Sequence, residues 1–263
     1  MIRFFTRKQL GIPYIIFLVF FVIMPVIVLL YYAFTNASGH FTAENLLNFF
    51  RSTNTIGTLF YSLVIALTTT LICLLIAYPV AYILAKSNLK RHTALILLFI
   101  VPMWINFTLR ITALMEVLSL WEGNLAWHPF LNTVIGLTYD YLPFMILPIY
   151  LVLLKIDDSY SEAAADLGAS PFKVFIKIIL PLSLPGVISG NMMVFLPSMT
   201  NYVVLDMMHN STYIMGSLIG SYFNNYDWNN GSMISIVLLL IIVTAMIFTN
   251  RLGDEQSNRR GVW

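Results

Sequence analysis

Charged side chains are scarce in this sequence. Only 10% of its 263 residues are charged, whereas 59% are hydrophobic; an ordinary soluble domain has about 25% charged residues. A chain with so few polar side chains cannot cover the surface of a soluble globule. The composition therefore excludes a soluble globular domain and predicts an all-α protein that crosses the membrane several times.

Several features that support chemistry are also missing. The single cysteine, Cys73, has no partner within the chain, so the redox compartment cannot be inferred. No segment matches the phosphate-binding pattern G-x-x-x-x-G-K-[ST] of ATPases, and the four histidines are scattered without metal-ligand spacing. We therefore expect a protein that is not an enzyme, with no catalytic residue, no metal site and no cofactor in this chain. We also expect no nucleic-acid partner.

Long apolar runs are what the sequence has instead. Six of them reach the roughly 20 residues that a helix needs to cross a bilayer. The first is too long for the core of a signal peptide, which has about 7–15 apolar residues, so we interpret it as a retained span. The sequence thus predicts a single transmembrane domain over residues 1–263, with spans near residues 10–34, 57–85, 93–114, 132–154, 177–203 and 232–250.

The cations are unevenly distributed between alternate loops. Of the fourteen lysines and arginines, one side holds only Arg51 and Arg110. The other twelve are Arg3, Arg7, Lys8, Lys86, Lys90, Arg91, Lys155, Lys173, Lys177, Arg251, Arg259 and Arg260. Cytoplasmic loops carry the excess of lysine and arginine in membrane proteins. This distribution predicts that both termini and residues 155–177 lie in the cytosol, and it supports an even number of spans.

A charged segment follows the fourth span. Ser159 and Glu162 have the spacing of a capping box at a helix start, and Gly168 suits the left-handed position after a helix end. Ser170 followed by Pro171 indicates a second helix start. The segment therefore predicts a short helix, a sharp turn and a second helix that continues into the fifth span. These local signals leave two interpretations open, a well-capped loop or a docking surface for a partner.

The same segment resembles a known motif. It matches the pattern E-A-A-x3-G-x9-I-x-L-P without a gap, from Glu162 to Pro181. This pattern resembles the EAA loop of permease subunits of binding-protein-dependent ABC importers. The resemblance implies a type I importer permease fold in which residues 155–176 form a cytosolic coupling loop, seated in a groove of an ABC ATPase dimer that binds ATP and Mg. It assigns the coupling role to Glu162, Ala163, Ala164, Gly168, Pro171 and Phe172.

Four further fragments are similar to the spermidine/putrescine permease subfamily, of the PotB type. They are AYPVAYILA at 77–85, VPMWINFTLR at 101–110, LPFMILPIY at 142–150 and YDWNNGSMISIVL at 226–238. The resemblance implies a multi-pass protein of the bacterial cell membrane that imports polyamines by alternating access. Its implied partners are a second, homologous permease subunit, the ATPase dimer, an extracytoplasmic substrate-binding protein and membrane lipid.

Acidic residues are in excess on the predicted outer side. The predicted outer side has six acids and two arginines, which gives a net charge of −4. The acids are Glu44, Glu116, Glu122, Asp140, Asp206 and Asp227. Such an entrance suits a cationic cargo. Depletion of lysine and arginine from the outer side leaves some acidic excess in any membrane protein, so charge alone does not decide the cargo.

Three acids are candidates for the substrate path. Asp206 and Glu116 lie near the outer ends of the fifth and third spans, and the resemblance implies an acid at the position of Asp206. Asp140 lies either deep in the fourth span, facing protein or water, or at the membrane interface if that span begins later. Neighbouring aromatic rings could contact ammonium groups or belong to the interfacial belt; they are Trp104, Trp121, Tyr139 and Tyr202.

The last predicted outer loop contains Asp227 and Trp228, which are candidates for contact with the binding protein. The sequence also leaves other functions open. A permease of the same class could carry sulfate, molybdate, iron or another small solute, and neutralising the candidate acids would then leave uptake unchanged. An ion-driven secondary transporter would show inverted repeats, and the sequence has no clear internal repeat. A structural membrane scaffold would leave a buried Asp140 unexplained.

Overall fold

The computed structural model describes residues 7–86 and 92–258. These residues are helical apart from connecting segments and one isolated β-bridge between Thr35 and Phe41. The predicted all-α class is therefore confirmed. Five of the cations that predict the orientation lie outside the described residues: Arg3, Lys90, Arg91, Arg259 and Arg260.

Thirteen α-helices follow one another along the described residues. They are α1 (Arg7–Leu18), α2 (Met24–Ala33), α3 (Glu44–Arg51), α4 (Thr53–Lys86), α5 (His92–Ile100), α6 (Phe107–Glu122), α7 (Pro129–Leu153), α8 (Ser159–Asp166), α9 (Pro171–Val174), α10 (Leu180–Ser198), α11 (Tyr202–Met207), α12 (Met215–Asn224) and α13 (Trp228–Asn258). Two π-helical turns join consecutive helices without a break, Val19–Ile23 between α1 and α2 and Phe175–Ile179 between α9 and α10.

Five helical stretches are long and apolar enough to cross a membrane: Gly11–Ala33, Thr53–Lys86, Pro129–Leu153, Pro171–Ser198 and Trp228–Ile247. The predicted third span differs. It is a bent pair, Ala94–Trp104 and Phe107–Glu122, with an angle of 100° at the break. With this pair counted as one span, the described residues contain the six that the sequence predicts.

The break in the third span has a local cause. Asn106 leaves the helical conformation (φ −51°, ψ 129°), and its side-chain oxygen accepts hydrogen bonds from the amides of Thr108 and Leu109 at 2.9 and 3.4 Å. A side chain that satisfies the first free amides of a helix favours a new helix start. Pro102, in the 3-10 turn before it, ends the preceding helix. The apolar run predicted the length of this region, but the prediction overlooked the cap inside it.

The described residues fall into two compact units, residues 7–57 with 217–242 and residues 58–86, 92–216 and 243–258. In the first unit, asparagine side chains close the end of α2. The amide of Asn45 donates to the carbonyl oxygens of Ala33 and Thr35, both at 2.9 Å. The amide of Asn229 donates to Thr35 at 2.6 Å. These bonds satisfy carbonyls that a helix leaves without partners at its end.

The second unit is built on the packing of α7 against α10. Gly186 and Gly190 allow the two helices to approach closely. A Cβ atom at Gly186 would lie 2.8 Å from the carbonyl oxygen of Pro148, and one at Gly190 would lie 2.7 Å from Met145 Sδ. The two glycines have the small-xxx-small spacing that is typical of close helix contacts in membranes. This contact holds together α7, which carries Asp140, and α10, which follows the charged segment.

Candidate functional site

The charged segment forms the predicted helix, turn and helix. Ser159 is the first residue of α8, so the helix begins one residue earlier than a cap at Ser159 would require. The Ser159 amide donates instead to the Asp157 carboxylate at 2.9 Å. The predicted capping box between Ser159 and Glu162 is therefore not formed. Asp158 is the N-cap residue, and its side chain makes no cap hydrogen bond. The bonds from Ser159 hold the pKa of Asp157 below its ordinary value.

The end of α8 is a Schellman motif centred on Gly168. Gly168 has φ +80°, as predicted, and its amide donates to the carbonyl oxygen of Ala165 at 2.8 Å. The amide of Ala169 donates to Ala164 at 3.0 Å. These are the two bonds that define the motif. Ala164 and Ala169 both pack against the core, so the turn holds α8 in a fixed position.

The second helix starts as predicted. Ser170 is extended (φ −67°, ψ 154°), and Pro171 is the first residue of α9, although the Ser170 side chain makes no cap hydrogen bond. The π-helical turn Phe175–Ile179 then leads into α10. The segment after Gly168 is thus one continuous helical path into the fifth span.

The outer surface of this segment is partly apolar. Glu162 and Ala163 are exposed, and Phe172 is 71% exposed. Leu167 and Tyr160, which the motif did not select, are 89% and 56% exposed. A large apolar residue such as Leu167, placed directly before the turn glycine in a charged stretch, is the sequence signal that could have identified this surface.

Lys86 holds the start of the segment. Its ammonium group donates to the carbonyl oxygen of Ile156 at 2.5 Å and to the Asp158 carboxylate at 2.6 Å. The Lys86 side chain is 14% exposed, whereas that of Asp158 is 74% exposed. The contacts join residues 70 and 72 positions apart in the sequence, so no local pattern could have indicated them.

Asp140 forms a buried ion pair with Arg110. Arg110 Nη2 lies 2.5 Å from Asp140 Oδ1, and the two residues are 8% and 4% exposed. Helix α7 begins at Pro129, so Asp140 lies eleven residues, or about 17 Å, along it. The structure thus shows Asp140 buried inside the helix bundle and facing protein; its depth in the membrane stays a prediction. Its charge is already balanced by an arginine.

The other path candidates lie on the surface of the second unit. Asp206 and Tyr202 are exposed on α11, and Glu116 is exposed on α6. Helix α11 packs against both α6 and α7, which brings these elements together. Asn201 Nδ2 strengthens the arrangement by donating to the Tyr141 hydroxyl at 2.7 Å. The aromatic candidates are also exposed: Trp104 at 88%, Trp121 at 90% and Tyr139 at 42%.

Asp227 and Trp228 both have structural contacts at the start of α13. One Asp227 carboxylate oxygen accepts from the Asn230 amide at 3.1 Å and the other from its side chain at 2.8 Å. The Trp228 ring lies 5.5 Å from that of Phe223 and 6.4 Å from that of Tyr32. The carboxylate is therefore occupied as a helix cap, while Trp228 keeps 45% of its surface exposed.

The sequence matches the family described as binding-protein-dependent transport system inner membrane component over residues 2–260. The chain belongs to this family. It is a multi-pass transport component of the bacterial inner membrane. Membership gives the unbroken pattern from Glu162 to Pro181 its context, because that pattern resembles the EAA loop of permeases of this class.

Named relatives match most of the chain. The spermidine/putrescine transport system permease protein PotB of Haemophilus influenzae is 34% identical, with 92% of this chain and 92% of the relative covered. The PotB protein of Escherichia coli is 39% identical, with 70% of this chain and 73% of the relative covered. The resemblance to this subfamily, first seen in four fragments, is thus confirmed.

Solved structures show the same fold. A chain of a bacterial alginate ABC transporter, in complex with an alginate-bound periplasmic protein, superposes with a TM-score of 0.73 at 13% identity, covering 93% of this chain and 92% of that chain. A chain of the MetNI methionine ABC transporter gives 0.56 at 17% identity, covering 78% of this chain and 99% of that one. The predicted importer permease fold is confirmed.

Proposed function

We propose that this chain is the membrane-spanning permease subunit of an ATP-driven importer that carries polyamines, such as spermidine and putrescine, into the cytosol. One observation carries the choice of cargo: relatives that match over 92% and 70% of the chain are named spermidine/putrescine permeases. The acidic excess on the predicted outer side supports it, because a cationic cargo needs carboxylates rather than donors along its entrance.

The motor is a separate subunit in this proposal. An ABC ATPase dimer binds ATP and Mg and receives α8 in a groove on its surface. The exposed apolar side chains of Tyr160, Leu167 and Phe172 lose water on docking, and Glu162 lies at the exposed start of the same helix. Since the Gly168 turn holds α8 against α9, movement of α8 passes to α9 and on toward α10.

Two further partners complete the transporter. A second permease subunit of the same class pairs with this one, so that the path opens alternately to the two sides of the membrane. An extracytoplasmic binding protein delivers the polyamine to the outer side. Because the Asp227 carboxylate caps its own helix, the exposed part of Trp228 is the contact that we assign to the binding protein.

The path itself is assigned to the exposed faces of α6 and α11. Asp206 and Glu116 supply carboxylates, and Tyr202 supplies a ring for cation–π contact with an ammonium group. The path includes the rings of Tyr139, Trp104 and Trp121. Asp140 does not face the cargo in this proposal; its ion pair with Arg110 holds α7 against α6. A polyamine keeps its charge as it crosses, so these groups replace the water that it loses.

Substitution of one acid tests the path. Losing a carboxylate partner for a desolvated charge costs a few kcal/mol, and about 1.4 kcal/mol corresponds to tenfold. We expect Asp206→Asn to lower the initial rate of labelled spermidine uptake at least tenfold at matched expression. Glu44→Gln is the control, because Glu44 is an exposed acid at the start of α3, and it should leave the rate unchanged.

Normal uptake by Asp206→Asn would contradict the proposed acidic path. The polyamine cargo would then be supported only by similarity to the named relatives. A wild-type transporter that accumulates sulfate, molybdate or iron, but no polyamine, would instead contradict the cargo and retain the transporter class. ATPase activity is recorded in the same preparation, so that a lost motor is not mistaken for a lost path.

A further inference from the structure

Three side chains on α4 form a row that contacts the two ends of the charged segment, at Ile156 and Asp158 and at Phe175. Tyr78, Tyr82 and Lys86 are four residues apart, and residues at this spacing lie on one face of a helix. Helix α4 is the second predicted span, and Lys86 is its last residue. Residues 78, 82 and 86 are called the α4 row below.

The two tyrosines of the row pack against the helical segment that leads into the fifth span. The ring of Phe175 lies 5.7 Å from that of Tyr78 and 5.5 Å from that of Tyr82, and both pairs are nearly perpendicular, at 88° and 86°. This edge-to-face geometry is favourable for aromatic rings. The hydroxyl groups of Tyr78 and Ser183 are hydrogen-bonded at 2.8 Å. Tyr78 therefore contacts both the π-helical turn and α10.

The third member of the row holds the other end of the segment. Lys86 donates to the Ile156 carbonyl and the Asp158 carboxylate, directly before α8. Asp158 is largely exposed, and such an ion pair is weakened by solvent. The bond to Ile156 comes from a mostly buried ammonium group, so its removal leaves a carbonyl without that donor. Helix α8 is thus flanked on both sides by contacts to α4.

The π-helical turn lies at the centre of this arrangement. Phe175 is its first residue, and it is the ring that both tyrosines contact. Turns of this kind interrupt the regular hydrogen bonding of a helix and are frequent at functional sites. Movement of α8 that is carried along the chain must pass through this irregular turn, and Tyr78 and Tyr82 contact its first residue.

We propose that the α4 row is a second transmission contact, through which movement of α8 drives the second span as well as the fifth. The covalent path runs from α8 through the Gly168 turn into α10. The row adds a path for movement through side-chain contacts instead of along the chain. Lys86 contacts the residues directly before α8, and the two tyrosines contact Phe175, directly after α9. This inference rests on the proposed docking of α8 to an ATPase. Lys86 is a positioning residue in it.

The test compares variants in the complete transporter, reconstituted in proteoliposomes. Lys86→Met keeps the length of the side chain and removes its charge, while Lys86→Arg keeps the charge and the donors. Lys155→Met is the matched control, because Lys155 is exposed in the same segment and forms no ion pair among the described residues. The measured quantities are retention of the ATPase subunit, ATP hydrolysis and labelled spermidine imported per ATP hydrolysed.

We expect Lys86→Met to retain the ATPase and hydrolyse ATP while importing about tenfold less spermidine per ATP, a loss that corresponds to about 1.4 kcal/mol of coupling. Lys86→Arg and Lys155→Met should keep the wild-type ratio. Asp158→Asn should lower the ratio less than Lys86→Met, since it removes only the exposed half of the contact. A purely structural role for Lys86 would reduce the amount of complex, not the ratio.

Equal ratios for Lys86→Met and Lys155→Met would overturn the inference and leave the proposed function intact. A wild-type chain that does not retain the ATPase would overturn both. If Lys86→Met is not recovered from the membrane, Tyr82→Leu and Asp158→Asn supply the same comparison, and an unchanged ratio in these two variants would overturn the inference.

Discussion

At the scale of single residues, the ion pair between Arg110 and Asp140 changes what the acidic excess means. Sequence reasoning counted Asp140 among the acids that could meet a cation. The structure places its carboxylate 2.5 Å from a guanidinium group, with both residues buried. A buried pair of this kind holds α6 against α7, and of the three candidate path acids it leaves Asp206 and Glu116 exposed.

Breaking this pair should reduce stability. Removal of one partner of a buried ion pair leaves an uncompensated charge and costs about 3–5 kcal/mol. We expect Asp140→Asn to lower the free energy of unfolding by about this amount, which is measured as a lower thermal midpoint of the detergent-purified protein. The double variant Arg110→Met with Asp140→Leu removes both charges, so it should regain most of the lost stability and transport.

Two outcomes would contradict this role. Wild-type thermal stability of Asp140→Asn would show that the pair does not support the bundle. A double variant that is stable but does not transport would make the carboxylate part of the path, as one of the sequence-based alternatives held.

Residue contacts were predictable only where they are local. Gly168 was predicted to have a positive φ because the requirement arises from the helix end beside it. Arg110 and Asp140 are 30 residues apart, and Lys86 and Asp158 are 72 apart. Their pairing depends on how helices pack, which a pattern of neighbours does not contain.

At the scale of elements, α8, the Gly168 turn and α9 act as one unit. The two Schellman hydrogen bonds and the packing of the half-buried Ala164 and Ala169 against the core fix the angle at which the chain leaves α8. An added Cβ at Gly168 would meet nothing within 4 Å, so the constraint there is the backbone conformation, at φ +80°. Substitutions at this position therefore test geometry rather than space.

We expect Gly168→Val to be inserted in the membrane but to lose spermidine uptake, because a β-branched residue is strongly disfavoured at positive φ. Gly168→Asn should keep most of the uptake, since asparagine tolerates the left-handed conformation better than other residues. The measurement is the uptake rate at matched expression, with ATP hydrolysis alongside. Equal rates for the two variants would mean that the turn does not set the position of α8.

The elements show where sequence reasoning succeeded and where it did not. Apolar runs predicted the spans because crossing a bilayer requires length and composition, which are local properties. The 100° break in the third span was missed because Asn106 lies inside an otherwise apolar stretch. The close contact of α7 with α10 was also missed, although the glycines at 186 and 190 have the spacing that indicates it.

At the scale of the whole molecule, the orientation in the membrane remains a prediction from the charge distribution. A reporter that is active only outside the cytosol should be silent when fused after Lys155 or Arg251. It should be active after Asn48 or Asn225. Activity after Lys155 would place α8 on the wrong side for an ATPase and would contradict its coupling role. A silent reporter at Asn48 would contradict an outer position for α3.

ATP-driven uptake of labelled spermidine tests the central claim most directly. The chain is purified with the subunits that accompany it from its native membrane, reconstituted in proteoliposomes and supplied with the binding protein and with ATP on the ATPase side. The account predicts accumulation that requires ATP and the binding protein and that excess unlabelled putrescine reduces. A complex that hydrolyses ATP and imports another solute, with no spermidine uptake above an ATP-free control, would contradict it.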